Sequence, residues 1–353
     1  MSISTSRQRA QISAPRFVLI EITFLVQAVI FASLLLWRRP PIVAGDLVGS
    51  LVAYVVSIIF LFILGVAAHA AWSLTRGSLR SYWNAIRTRE WIVLSARLCV
   101  LQMAMAIFYS VLKLFIPLFN PGSFDRELWE LDRLLFFGLS PNSFFLELFR
   151  IPAVLRFIDF IYGHIFFAFV MLAPAYFISR TSSTRRVAFF WGNALLWSTA
   201  VLMYNLIPSI GPIYRFPEVF SGTDSFFPNS RHLQIVLMKN YAGFIKVLQG
   251  VAPANLSIAF GVAAFPSMHV GFQSYVAMWV SRESRRAGLL IWLLTGITIV
   301  GSVATGWHYF VDAIAGLLLA WFFFVVARTI ERRYEMESGG ETTNAQASDD
   351  VLV

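Results

Sequence analysis

The sequence predicts an all-α membrane protein, a polytopic bundle of about eight transmembrane helices. Three observations carry that expectation. Hydrophobic residues fill 58% of the 353 positions and charged residues only 13%, against roughly 45–50% and 25% in soluble domains. Mean hydropathy is +0.69. Apolar segments of the length needed to cross the ~30 Å hydrocarbon layer recur along the chain. This balance excludes a soluble enzyme and a chain disordered throughout. The net charge is +9. On so apolar a chain, excess Arg marks cytoplasmic loops, and no nucleic-acid partner is needed to explain it.

The expected spans are residues 17–37, 47–73, 92–118, 153–178, 187–209, 266–281, 288–307 and 308–328. Arg7, Arg9 and Arg16 precede the first, as in a signal peptide. Its apolar run is too long for one, however, and no small-residue cleavage site follows, so it is read as an uncleaved span. Residues 78–91 alternate Arg with aromatics, which suits an inner interfacial helix. Residues 124–149 have an amphipathic period broken at Gly138, Ser140 and Pro141, which suits an outer helix at headgroup level. The residues after about 335 lack periodicity and are expected to be disordered. Cys99, the single cysteine, permits no disulfide within the chain and no Cys-type metal site. No repeat of the kind built into transporters is visible.

Charge sets the orientation. With the N-terminus inside, the inner segments hold Arg7, Arg9 and Arg16; Arg76, Arg80, Arg87 and Arg89; Arg180, Arg185 and Arg186; Arg282, Arg285 and Arg286; and Arg328, Arg332 and Arg333. The outer segments, 38–46, 119–152 and 210–265 plus a tight turn at 306–308, mix acids with bases. Both termini are then cytoplasmic. The scarcity of Lys, found only at 113, 239 and 246, points to a GC-rich bacterial genome and an inner membrane whose outer side is periplasm or exterior.

Polar groups inside spans are costly and need an account. In Phe265-Pro266-Ser267-Met268-His269, Pro and Ser signal a helix start. His269 falls in the first turn, where free amides and the positive helix end favour a phosphate. A capped helix with an interfacial His is the plainer alternative. In Gly306-Trp307-His308-Tyr309-Phe310-Val311-Asp312, His308 and Asp312 share one helix face, and a carboxylate beside an imidazole fixes its tautomer. A structural tie between helix ends is the alternative there. The topology starts both histidines' spans on the outer side. Two such histidines, one with an acid partner, suit phosphoryl transfer, one attacking phosphorus and the other protonating the leaving oxygen.

These two motifs together resemble the last two signatures of the phosphatidic acid phosphatase type 2 superfamily, and the form Ala264-Phe265-Pro266-Ser267-Met268-His269-Val270-Gly271 is similar to its inositol phosphorylceramide synthase branch. Leu131-Asp132-Arg133 with Phe137-Gly138 and Pro141, Tyr162 with His164, and Pro208-Ser209-Ile210-Gly211-Pro212 resemble further elements of that branch more loosely. The resemblance covers about 125–328. It implies His308 as nucleophile, Asp312 as its orienting acid, His269 as general acid and then base, Ser267 as a phosphate contact, and chemistry without a metal or other cofactor. The superfamily's first motif, K-x6-R-P, is absent as such. Arg215 is the leading candidate for the missing phosphate cation, with Arg231, Lys239 and Lys246 as alternatives, each of which could equally be a loop charge facing headgroups.

Other polar residues divide between site and scaffold. Arg156 and Asp159 can pair with each other or face a cavity. His164 and Tyr309 are further candidates to line it, and Lys113 is expected to snorkel to the outer interface. Glu21 and His69 show no partner in the sequence. The chain is divided into a two-span extension with the inner interfacial helix (1–91), a six-helix catalytic core (92–330) and a cytoplasmic tail (331–353). The expected partners are the bilayer and a lipid phosphate or phosphodiester substrate. An alcohol acceptor makes the protein a phosphotransferase, and water makes it a lipid-phosphate phosphatase. A channel or transporter would explain the spans but not two histidines at matched helix starts.

Overall fold

The computed structural model describes residues 44–251 and 256–349, and positions 21–36 in part. The expected first span lies largely outside the described residues. Within residues 44–349 the helices of eight or more residues are α1 (Ala44–Thr75), α2 (Leu79–Ile86), α3 (Arg89–Leu114), α4 (Asp125–Leu135), α5 (Pro141–Leu148), α6 (Pro152–Phe160), α7 (Phe166–Ile178), α8 (Ser183–Leu206), α9 (Pro228–Leu248), α10 (Met268–Ser281), α11 (Arg285–Ala304) and α12 (Phe310–Asp349). A π-helical turn, Ile161–Ile165, joins α6 to α7. The protein is an all-α membrane bundle. Among the described residues, six stretches are long and apolar enough to cross a bilayer: Leu51–Thr75, Arg89–Leu114, Pro152–Ile178, Ser183–Leu206, Arg285–Ala304 and Phe310–Met336. Each overlaps an expected span.

The segment expected to span at 266–281 forms α10, which has 14 residues and so extends only about 21 Å. It is buried nearly all round through Val270, Phe272, Tyr275 and Trp279, and it is followed by Arg282, which pairs with Glu331. Residues 78–91 contain α2 and the start of α3, and α2 buries Tyr82 and Ile86. Residues 124–149 form α4 and α5, and the chain turns between them at Gly138, whose φ of 92° is left-handed. Residues 210–265, expected as an outer loop, contain a helix of their own, α9. At the other end, α12 runs through to Asp349, past the point where disorder is expected. Elongating a helix already nucleated in a span costs little.

Hydroxyl caps start five of the helices. Thr88, Ser140, Ser182, Ser267 and Ser284 each accept a hydrogen bond from the amide three residues on. The core packs α10 between α11 and α12, and α8 against α3 and α12. Its aromatic centre joins Phe177 of α7, Phe189 of α8 and Trp279 of α10, with the first two rings stacked 3.8 Å apart.

The Arg-rich ends gather on one side. Glu331, 1% exposed, accepts from Arg185 (3.1 Å), Arg282 (2.6 Å) and Arg328 (2.7 Å). Glu283 pairs with Arg180 and Arg185. Glu21 and His69 have partners as well: Arg97 donates to both Glu21 carboxylate oxygens, at 2.9 and 2.7 Å, and His69 Nδ1 lies 2.9 Å from Ser179 Oγ.

At the opposite end, α10 and α12 meet through bare backbone. A Cβ on Gly316 would lie 2.3 Å from the Ser267 carbonyl oxygen, and one on Gly271 would lie 3.1 Å from the Gly316 carbonyl oxygen. Only glycine at 316 lets the two helices come this close. Gly316→Ala should lower the thermal unfolding midpoint in detergent, with an overpacking cost of about 1–3 kcal/mol. Gly296→Ala, whose Cβ would have no neighbour within 4 Å, should not lower the midpoint and should raise it slightly, since Ala is favoured over Gly inside a helix by about 0.5–1 kcal/mol.

Candidate active site

The close approach of α10 and α12 brings the two sequence motifs together. His308 lies in the turn between α11 and α12, with its amide donating to the Ser302 carbonyl at 3.1 Å. Its Nδ1 is 3.2 Å from Asp312 Oδ2, and its Nε2 is 3.3 Å from His269 Nδ1. Asp312 Oδ2 also accepts from the Tyr309 amide at 3.0 Å, and the Asp312 carbonyl accepts from the Ser267 amide at 2.9 Å. The His269 ring sits against Tyr162 and Phe166, with centroids 4.8 and 3.9 Å away. Tyr162 belongs to the π-helical turn, an irregularity that recurs at functional sites.

Three buried acids hold the surrounding backbone. Asp132 of α4 accepts from the amides of Phe310 and Val311 at 2.7 and 2.9 Å, which caps the start of α12. Asp125 accepts from the amides of Ile210 and Gly211 and from the Tyr309 hydroxyl, the last at 2.8 Å. Asp159 accepts from the amides of Asn229 and Ser230 at 2.9 and 3.0 Å and so caps α9. Asn142 adds a bond from Nδ2 to the Val303 carbonyl at 2.7 Å, beside His308.

A cavity of about 590 Å³ opens in front of the histidines, within the size range of small-molecule sites. His269, His308, Tyr162, His164 and Lys113 all line it. Among the described residues, Lys113 is the Lys or Arg in that lining. Its Nζ lies 5.7 Å from the ring centroids of both Tyr109 and Tyr204.

Burial, with the Lys113 charge adding to it, pushes the His308 imidazole down to about 3, which favours the neutral ring with a free lone pair. Burial also raises the Asp132 carboxyl, to about 7, against the pull of its two amide bonds.

The remaining candidates divide. Ser267 is fully buried and its hydroxyl accepts from the Val270 amide at 3.5 Å. Arg215 is exposed and does not line the cavity. Asp159 is buried outside it and binds the start of α9, with no bond to Arg156. Tyr309 is buried against Trp129 and tied to Asp125. His164 lines the cavity with its ring exposed, 3.1 Å from the Phe160 carbonyl.

A family model described as the PAP2 superfamily matches residues 126–326, more than half of the chain. The chain belongs to the PAP2 superfamily. Members of this superfamily are phosphatases and phosphotransferases, which supports an enzyme acting on lipid-like phosphates. No curated protein and no solved structure matched the chain.

Membership sharpens what the sequence reading missed. Just before the matched region the chain has the Lys and Pro spacing of the motif K-x6-R-P. Lys113 is followed, after six residues, by Asn120-Pro121, which keeps the Lys and the Pro and puts Asn in place of Arg. Asn120 serves the backbone, donating from Nδ2 to the Asn205 carbonyl at 2.9 Å. The signal for Lys113 was therefore its spacing to Asn-Pro. Asp125 and Asn142 carried no comparable signal.

The neutral state of His308 can be checked directly. Ring-nitrogen NMR of the protein, with the resonance assigned by difference from His308→Gln, should show no protonation of His308 between about pH 5 and 8, where a solvated imidazole titrates near 6.5.

Proposed function

We propose that the protein is a membrane lipid phosphotransferase that moves a phosphoryl or phospho-headgroup from a lipid donor to an alcohol acceptor through a phospho-histidine intermediate. The observation that carries this reading is the Asp312–His308–His269 relay, with its Nε2 to Nδ1 separation of 3.3 Å, at the head of a cavity that also holds Lys113.

Asp312 holds the proton on His308 Nδ1, so the lone pair on Nε2 faces the substrate. That lone pair attacks phosphorus. The bond from phosphorus to the leaving oxygen breaks, and His269 gives that oxygen a proton. An acceptor hydroxyl then loses its proton to His269 and attacks the phospho-histidine. The bond from phosphorus to Nε2 breaks and the resting state returns. Lys113 offsets the charge on the phosphoryl oxygens. The amides at the start of α10, which Ser267 leaves partly free, are a second source of stabilisation. The step calls for no metal ion, because Lys113 and the helix end supply the positive charge.

The topology read from the Arg distribution puts this end of the bundle on the periplasmic or exterior side of a bacterial inner membrane, with the Glu283 and Glu331 clusters at the cytoplasmic side. The Phe-Pro-Ser-Met-His form, similar to the inositol phosphorylceramide synthase branch, favours transfer to an alcohol. Hydrolysis uses the same residues with water as acceptor.

Purified protein with a radiolabelled lipid phosphate should accumulate acid-labile label on His308, and His308→Ala should abolish both label and turnover while the unfolding midpoint is kept. Lys113→Met should lower kcat/KM about 100-fold or more. Supplying alcohol acceptors separates the two chemistries: a new lipid product marks transfer, and release of inorganic phosphate without any acceptor marks hydrolysis. Full turnover by His308→Ala would overturn the mechanism.

A further inference from the structure

The cavity continues well beyond the histidines. On α3 its lining residues are Gln102, Met105, Ala106, Tyr109, Ser110 and Lys113, spaced three and four apart along one helix face. Phe166, Phe167, Val170 and Met171 form the corresponding stripe on α7. From Lys113 to Gln102 the α3 stripe descends 11 residues, about 16 Å. That is about half of a ~30 Å hydrocarbon layer, the depth of one leaflet.

The two ends differ in chemistry. Lys113 and the histidines stand at the head. At the floor, Gln102 Oε1 accepts from Asn193 Nδ2 at 3.0 Å. Between them the wall hydroxyls satisfy each other, Tyr54 with Ser110 at 2.6 Å and Tyr109 with Tyr204 at 3.2 Å, so the wall offers mainly apolar and aromatic surface. Phe167 and Met171, at 47% and 39% exposed, line the slot.

We infer that this slot holds one hydrocarbon chain of the lipid substrate and that the Gln102–Asn193 amide pair closes its deep end, setting the chain length accepted. The inference rests on the lipid phosphotransfer reading above. A chain that fits ends against the amides. A longer one must either separate a buried hydrogen-bonded pair, which leaves polar groups unmet, or leave carbons outside the slot. Much of this wall lies outside the family-matched region: Tyr54 comes from α1, and the α3 stripe precedes residue 126. Length selection is thus a property of this chain's own early spans.

The test uses the full-length protein in mixed micelles and a series of saturated 1-acyl lysophosphatidic acids of stepwise longer chain, with kcat/KM measured for each. Gln102→Ala removes the floor and should move the optimum to longer chains, raising the long-to-short ratio of kcat/KM several-fold. Met105→Trp fills the slot one turn above the floor and should lower that ratio about tenfold. Effects of chain length on micelle partitioning are common to all variants and cancel in the comparison, and the unfolding midpoint verifies that each variant folds. Identical chain-length profiles in wild type and both folded variants would overturn the inference and leave the reaction standing. Absence of turnover by wild type on every chain, with or without an added alcohol, would instead overturn the phosphotransfer reading.

Discussion

Backbone amides at the starts of helices inside a membrane bundle have no water to bond, and this structure meets them with buried carboxylates. Asp132 takes the first amides of α12, Asp159 those of α9, and Asp125 those of the turn at Ile210 and Gly211. Each such charge is costly to bury alone and stable where two or three N–H groups converge on it. The histidine end of the protein is organised around these three acceptors. They fix where α12 begins, and so where His308 and Asp312 stand relative to His269.

A second constraint acts on distance. Histidines on separate helices can be 3.3 Å apart only if the helices nearly touch, and the bare backbone at Gly271 and Gly316 permits that. The relay is then set by two rigid helix starts and a short turn, with Tyr162 and Phe166 packed against the His269 ring. Rigid support of this kind suits a reaction in which a nucleophile and a proton donor must be held in a fixed relation to one phosphorus. The cavity beyond them keeps one end polar and cationic and the rest apolar, an arrangement matched to a molecule whose phosphate and hydrocarbon parts must be held in different surroundings.

Much of this was legible in the residues. Long apolar runs specify spans because hydrocarbon leaves a helix no other way to satisfy its backbone. The His308 and Asp312 spacing specifies a shared helix face, and Pro266-Ser267 specifies a helix start. Other features were hidden. Residues 266–281 are apolar, yet only the structure shows that α10 is surrounded by other helices, because apolar composition cannot distinguish lipid from protein as the surrounding medium. Lys113 read as an interfacial lysine, since an amphipathic side chain near a span end looks the same whether it reaches headgroups or a cavity. Asp159 invited pairing with the nearby Arg156, whereas its partners are about seventy residues further on in α9.

By itself, then, the sequence determined the membrane class, the positions of most spans, the gathering of Arg at alternate connections and the two histidine motifs, all of which depend on local composition and helical period. Tertiary structure decided which polar groups meet. It placed Lys113, and not Arg215, in the cavity with the histidines, directed three acids to distant amides and carved a slot between α3 and α7. Those outcomes depend on contacts between residues far apart in the chain, and a local pattern carries no information about which distant surface will lie against it.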